Sequence, residues 1–171
     1  MITVFGEEIM KPVRKYGFVI PEYFVTRDAK VYSEKTKRYL TDCAANKKSP
    51  YRKISLNIPI GHFSDDSYPY YEDNNTCSRH SFDLHRIVME AWKPIDEYPP
   101  DEINDEWFEV ITPDMVGQPR IPPKTRQWVR DTALIDHKDN NPENNNIENL
   151  RYTTPRGNNC YRKEYESAQI H

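Results

Sequence analysis

The 171-residue chain has little cysteine, no long apolar run and no marked excess of either charge. Each shortage excludes something. Its three cysteines, Cys43, Cys77 and Cys160, are odd in number and far apart. That argues against a disulfide scaffold and for a reducing compartment. No stretch of about 18 apolar residues is present to span a bilayer as a helix. The start, from Met1 to Glu8, lacks a basic segment followed by an apolar one. No secretory leader is therefore expected, no membrane partner either, and the cytoplasm is the expected location. Apolar residues make up 36 % and mean hydropathy is -0.94, so the core is modest. What the chain does have is aromatic: twelve tyrosines, six phenylalanines and three tryptophans. Disordered chains are poor in such residues. The length fits one domain, or one core with elaborations.

The net charge of -3 conceals an uneven distribution. Residues 1–57 carry 12 basic and 6 acidic side chains, whereas residues 58–130 carry 7 basic and 14 acidic. A basic N-terminal third suits either a solvated face or a polyanion footprint. Arg52 and Lys53 lie within it.

Local patterns predict several elements. Tyr23–Thr26 and Lys30–Ser33 are β-branched and aromatic runs separated by Arg27-Asp28-Ala29, which reads as a hairpin. Tyr51–Ile58 alternates, with Ile54, Leu56 and Ile58 on one face, as a half-buried strand does. Residues 61–75 read as a polar loop. From Ser81 to Trp92, the residues Leu84, Ile87, Val88, Ala91 and Trp92 recur at helical spacing. Ser81 or Asp83 can cap that helix, and Pro94 stops it. Residues 94–123 hold seven prolines and a crowd of acids from Asp96 to Glu109. An extended loop packed by Trp107 and Phe108 is expected there, with one short regular piece near Glu106–Val110.

The informative segment runs from Ala133 to Asn159. A short apolar strand ends in Asp136-His137. An asparagine-rich loop follows, turned by Pro142. Leu150–Thr153 returns as a second strand. Thr154 is a good N-cap and Pro155 a good first helical residue, so a helix from about Pro155 to Ser167 completes a ββα unit.

Phosphodiester hydrolysis needs an activated water, charge neutralisation on the phosphate and help for the leaving oxygen. A hard divalent cation serves the last two and prefers oxygen ligands. Asp136 offers a carboxylate, and Asn158 an amide oxygen from the first helical turn, so both are candidate metal ligands. His137, pointing to the other side of the strand, can take a proton from water near neutral pH. Asn149 is expected to tie the loop together and orient His137. Arg151 or Arg156 can meet phosphate. His85 and Arg86 begin the preceding helix. His85 suits phosphate contact, core packing or capping. Zinc is not expected as a structural staple, because no Cys-x-x-Cys pair exists and nothing in the spacing of Cys43, Cys77, His80 and Cys160 requires convergence.

The segment resembles the HNH endonucleases, the ββα-metal family. The resemblance rests on Asp136-His137, on Asn-Pro-x-Asn-Asn at 141–145, on Asn149-Leu150-Arg151 and on Asn158. The spacings from His137 to Asn149 and from Asn149 to Asn158 look like those of phage homing enzymes, and so does an asparagine rather than a histidine at the end. Phe82–Val88 looks like the segment preceding the motif in those enzymes, and residues 16–58 are more weakly similar to their N-terminal sheet module. The resemblance implies an α+β fold: a ββα-metal motif at 131–171, and a basic β-rich DNA-binding module with a small antiparallel sheet at 1–60. A loop and helix at 61–93 would pack on the nuclease core, with a proline-rich acidic insertion at 94–130. It implies a homing-type endonuclease acting on double-stranded DNA with Mg2+ or Mn2+, leaving 5′-phosphate and 3′-hydroxyl ends. One unit cuts one strand, so a double-strand break needs a homodimer or two events. Only about a dozen residues follow Asn159, so specificity is expected from residues 1–130 or a second subunit. A restriction-type or structure-specific nuclease is the alternative within the class. A non-cleaving DNA-binding regulator is the alternative outside it.

Overall fold

The computed structural model describes residues 2–4, 7–46, 49–59, 62, 77–114, 117 and 120–168. Strands β1 (Ile2–Val4), β2 (Glu7–Lys15), β3 (Phe18–Thr26), β4 (Val31–Ser33) and β5 (Arg38–Tyr39) form one antiparallel sheet in sequential order. Its longest hairpin turns at Tyr16-Gly17, between the paired Lys15 and Phe18. Both turn residues have positive φ, 55° and 83°. Such a two-residue turn follows the twist of the strands it joins. The next hairpin turns at Arg27-Asp28-Ala29, where the Lys30 amide donates to Thr26 Oγ1 at 2.9 Å and Ala29 takes φ 66°.

A second sheet contains β6 (Cys43–Asn46), β7 (Ser49–Pro59) and β8 (Cys77–Asp83), with β7 central. The alternation along β7 has its physical outcome in Ile54, Leu56 and Ile58, each almost wholly buried. Burying each such side chain is worth about 1.5–3 kcal/mol. Helix α1 spans Leu84–Trp92. It starts at Leu84, the first of the residues at helical spacing, so of the two expected cap positions the structure uses Asp83 and not Ser81; Ser81, Phe82 and Asp83 are the end of β8, paired with Ser55, Ile54 and Lys53. Ladder bonds to β7 and burial of Phe82 hold that segment extended. Asp83 precedes the helix, but its side chain makes no capping bond.

The apolar stripe of α1 packs against both sheets and reaches the ββα unit, so one core cluster joins Val13, Val25, Leu56, Ile87, Leu150 and Tyr152. Trp92 Nε1 donates to the Val25 carbonyl at 3.2 Å. Its ring lies between the Lys11 ammonium at 5.0 Å and the Arg27 guanidinium at 4.7 Å. Lys15 and Glu90 form a buried ion pair at 3.3 Å between β2 and α1.

In the stretch expected as an extended loop over 94–123, the short regular piece placed near Glu106–Val110 is a helix, and a second helix begins at the end of the stretch. Helix α2 occupies Asn104–Ile111, after a short 3-10 turn, and α3 occupies Pro123–Thr132. Pro123 sits at the first position of α3, where its missing amide hydrogen has no helical partner to lose. Trp107 is buried, but Phe108 is 41 % exposed and does not pack the segment. Asp96 accepts bonds from Arg126 at 3.0 Å and Arg130 at 2.8 Å, which hold α3 to the turn after α1. Strands β9 (Leu134–His137) and β10 (Leu150–Thr153) follow, with helix α4 over Pro155–Ala168. The acidic segment reaches this unit: Glu102 accepts a bond from Thr153 Oγ1 at 3.2 Å. The predicted loop at 61–75 lies outside the described residues apart from His62. Among the described residues no helix is long and apolar enough to cross a membrane.

Candidate active site

β9 and β10 pair antiparallel, with His137 opposite Leu150 and Asp136 opposite Arg151. The chain between them is held by side-chain bonds. Asp139 accepts from the Asn141 amide at 2.8 Å, from Asn149 Nδ2 at 2.9 Å and from Asn144 Nδ2 at 2.7 Å. Burial works against the charge on Asp139, but these bonds prevail and hold its carboxyl below the usual range. Asn149 completes the arrangement: its Oδ1 accepts from the Asp139 amide at 3.1 Å, and its Nδ2 also donates to the Asn144 carbonyl at 2.8 Å.

The ring bond that sequence reasoning gave to Asn149 is made by Asn145. His137 is buried, and its Nε2 lies 3.1 Å from Asn145 Oδ1. Asn145 Nδ2 donates to the Glu143 carbonyl at 3.1 Å, which fixes the amide with its oxygen toward the ring. An oxygen there requires a hydrogen on Nε2 and leaves Nδ1 as the basic nitrogen. Asn145 is itself only 4 % exposed. Asn145→Ala would leave Nε2–H buried and unpaired, and is expected to destabilise the fold by about 1–3 kcal/mol. A fall in the urea midpoint measures that loss.

Helix α4 is capped by Thr154, whose Oγ1 accepts from the Gly157 amide at 3.0 Å. The cap sets the first turn and carries Asn158 to the strands. An open cleft of about 310 Å³ runs along β9, lined by Tyr51, Asp136, His137, Asn140, Pro142 and Asn158. Carboxylate, imidazole and carboxamide therefore share one space. Asp136 is engaged on one side: Oδ2 accepts from Arg151 Nε and Nη2, each at 2.8 Å. Its Oδ1 accepts no bond among the described residues. One carboxylate oxygen and one amide oxygen are hard donors that leave most coordination positions open, which suits a cation of the magnesium type. Among the described residues no group of three or more His, Cys, Asp or Glu side chains is placed to hold a metal ion. Cys43 and Cys160 are exposed thiols.

The structure engages most of the basic residues singled out for DNA with partners inside the chain. Arg151 holds Asp136. Arg52 Nε donates to Asp42 at 2.6 Å, Lys53 pairs with Asp83 at 3.3 Å, and Arg86 donates to the Ala133 carbonyl at 3.2 Å. Arg156 is exposed on the first turn of α4. His85 lies against His137, with the two ring centroids 5.5 Å apart. Burial, and then the charge of His137, pushes the His85 imidazole down to about 4. Its Nδ1 is buried with no partner among the described residues. Sequence reasoning missed Tyr51, Asn145 and Asp139. Asp139 alone carried a signal, as an acid at the head of an asparagine-rich turn.

No curated protein matches the chain. A solved structure described as "DNA binding and cleavage by the HNH homing endonuclease I-HmuI" is similar, at 20 % identity and a TM-score of 0.49. The likeness covers 94 % of this chain and 64 % of that one. A family model described as HNH endonuclease matches residues 128–160. That span holds the end of α3, β9, the asparagine-rich loop, β10 and the start of α4, and it is this segment that is similar to the HNH endonuclease family.

Proposed function

We propose that the chain is a metal-dependent endonuclease that hydrolyses a phosphodiester bond in double-stranded DNA. The observation that carries this reading is the single cleft shared by Asp136, His137 and Asn158. His137 Nδ1 takes a proton from water, and the water oxygen attacks phosphorus as the 3′ oxygen leaves. Asn145 keeps the ring in the required tautomer by occupying Nε2. Asp136 and Asn158 hold a divalent cation, magnesium or manganese, which when bound neutralises phosphate charge and stabilises the leaving oxygen. Arg151 fixes the Asp136 carboxylate through Oδ2 and leaves Oδ1 for the ion. Arg156, exposed beside Asn158, contacts a neighbouring phosphate.

The homing-type reading rests on the motif spacings. One module nicks, and paired cuts need a second subunit or a second encounter. The test is conversion of supercoiled plasmid to nicked circle, using DNA from the native genomic neighbourhood beside unrelated DNA. Nicking is expected with magnesium or manganese and is expected to stop with EDTA. DNA binding without cutting, across both substrates and both metals, would replace this reading with the non-cleaving regulator.

A further inference from the structure

The matched segment does not contain everything that surrounds its own base. Three rings meet at the cleft, each from a different part of the chain. Tyr51 comes from β7, His85 from α1 and His137 from β9. The Tyr51 and His85 centroids are 5.5 Å apart, His85 and His137 are 5.5 Å apart, and Tyr51 and His137 are 6.1 Å apart. The interplanar angles are 57°, 77° and 43°. These separations fall within the range for attractive aromatic contact, and none of the pairs is a face-to-face stack.

We propose that Tyr51 and His85 are positioning residues for His137, forming an aromatic brace that sets the plane of its imidazole in the cleft. The proposal rests on His137 being the base. A single bond from Asn145 at Nε2 restrains the ring at one corner but leaves rotation about that contact. A proton transfer needs Nδ1 aimed at the water, and a misplacement of about 1 Å can lower a rate about a hundredfold. The edge-to-face contact with His85 and the tilted contact with Tyr51, adjacent to each other, oppose that rotation. His85 is held in turn by burial at the start of α1, where Leu84, Ile87 and Val88 fix the helix in the core. Tyr51 is 43 % exposed and also lines the cleft, so it is the one brace residue within reach of substrate. The base is therefore set by three segments, and residues 128–160 alone do not reproduce its surroundings.

The test compares His85→Ala, His85→Phe and Tyr51→Ala in the full chain. Each alanine variant is expected to lower kcat by about 10–100-fold, the range for residues that orient a reactive group. KM for DNA is expected to change far less. His85→Phe restores a ring and is expected to recover most of the lost rate. The His137 ring-proton resonances are expected to move in both alanine variants, since the currents of neighbouring rings shift them. That readout needs no nuclease activity. Shifted resonances in an inactive chain would count against the nuclease reading and leave the brace standing. Unmoved resonances, an unchanged kcat, or a loss confined to KM would overturn the brace. So would failure of His85→Phe to recover the rate, which would move the role to Nδ1.

Discussion

His137→Ala is expected to lower the rate of DNA cleavage by about 10²–10⁴-fold, the usual contribution of a positioned general base. The same variant is expected to bind manganese as the parent does, because the imidazole is not among the oxygen donors. Asp136→Ala should show the reverse order of effects. It removes the one carboxylate that lines the cleft among the described residues, leaving Asn158 as the remaining candidate ligand. It also releases Arg151 from two bonds at 2.8 Å and places an unpaired guanidinium near the ion's position. Charge repulsion then adds to the lost ligand, so metal affinity falls before any step of the chemistry. Titration calorimetry with manganese separates the two variants. Equal manganese affinity in Asp136→Ala and the parent would remove Asp136 from the ion. Undiminished cleavage by His137→Ala would remove the imidazole from the reaction.

Acid is expected to weaken the fold through His85. Burial, reinforced by the charges of His137, Arg86 and Lys15 and opposed by Asp83, lowers its pKa from the ordinary 6.5 to about 4. Above pH 6.5 the imidazole is neutral in both the folded and unfolded chain, and the contribution to stability is complete. As pH falls from 6.5 toward 4, the unfolded chain binds a proton that the folded chain refuses, so stability is lost across that window. At pH 4.5 the loss from this group amounts to about 2–3 kcal/mol. The folded chain disfavours the proton because Nδ1 is buried with no hydrogen-bond partner among the described residues. His85→Phe carries no titrating group at this position and is expected to lose that much less stability between pH 7 and pH 4.5. Urea midpoints of parent and variant at the two pH values measure the difference. Parallel losses in both proteins would mean that His85 charges freely in the fold.

The two histidines show how differently a sequence reveals its residues. His137 is legible because its neighbours in sequence are its neighbours in function: Asp136 precedes it, and strand, loop, strand and helix follow at short range. Backbone geometry alone brings Asn158 back to the same strand, since a cap at Thr154 starts α4 immediately after β10. His85 lies 52 positions before His137 in the chain. Phosphate contact, packing and capping all suit its place in the sequence, and only the fold shows its ring beside that of His137. Asn145 is hidden for another reason. It stands within a run of three asparagines, and only the turn that buries it against the ring separates its part from those of Asn144 and Asn146.

Charge is a further case. Arg52, Lys53, Arg86 and Arg151 look like phosphate contacts when counted along the chain. Within the fold each also bonds a carboxylate or carbonyl, from Asp42, Asp83, Ala133 and Asp136 in turn. The acidic stretch 96–109 looks from its composition like part of an extended loop. It instead supplies Asp96 to Arg126 and Arg130, and Glu102 to Thr153.

Short-range pattern was sufficient for the β3–β4 hairpin, the alternating face of β7, most of α1 and the ββα unit with its candidate ligands and base. Periodicity, turn chemistry and capping act within a few residues, so they can be read without knowing the fold. The tertiary structure decided the β8 ladder, helix α3, the Asn145 bond and the rings around His137. Those depend on which surfaces meet after the chain has folded, and pairing and burial between distant segments there outweigh local preference.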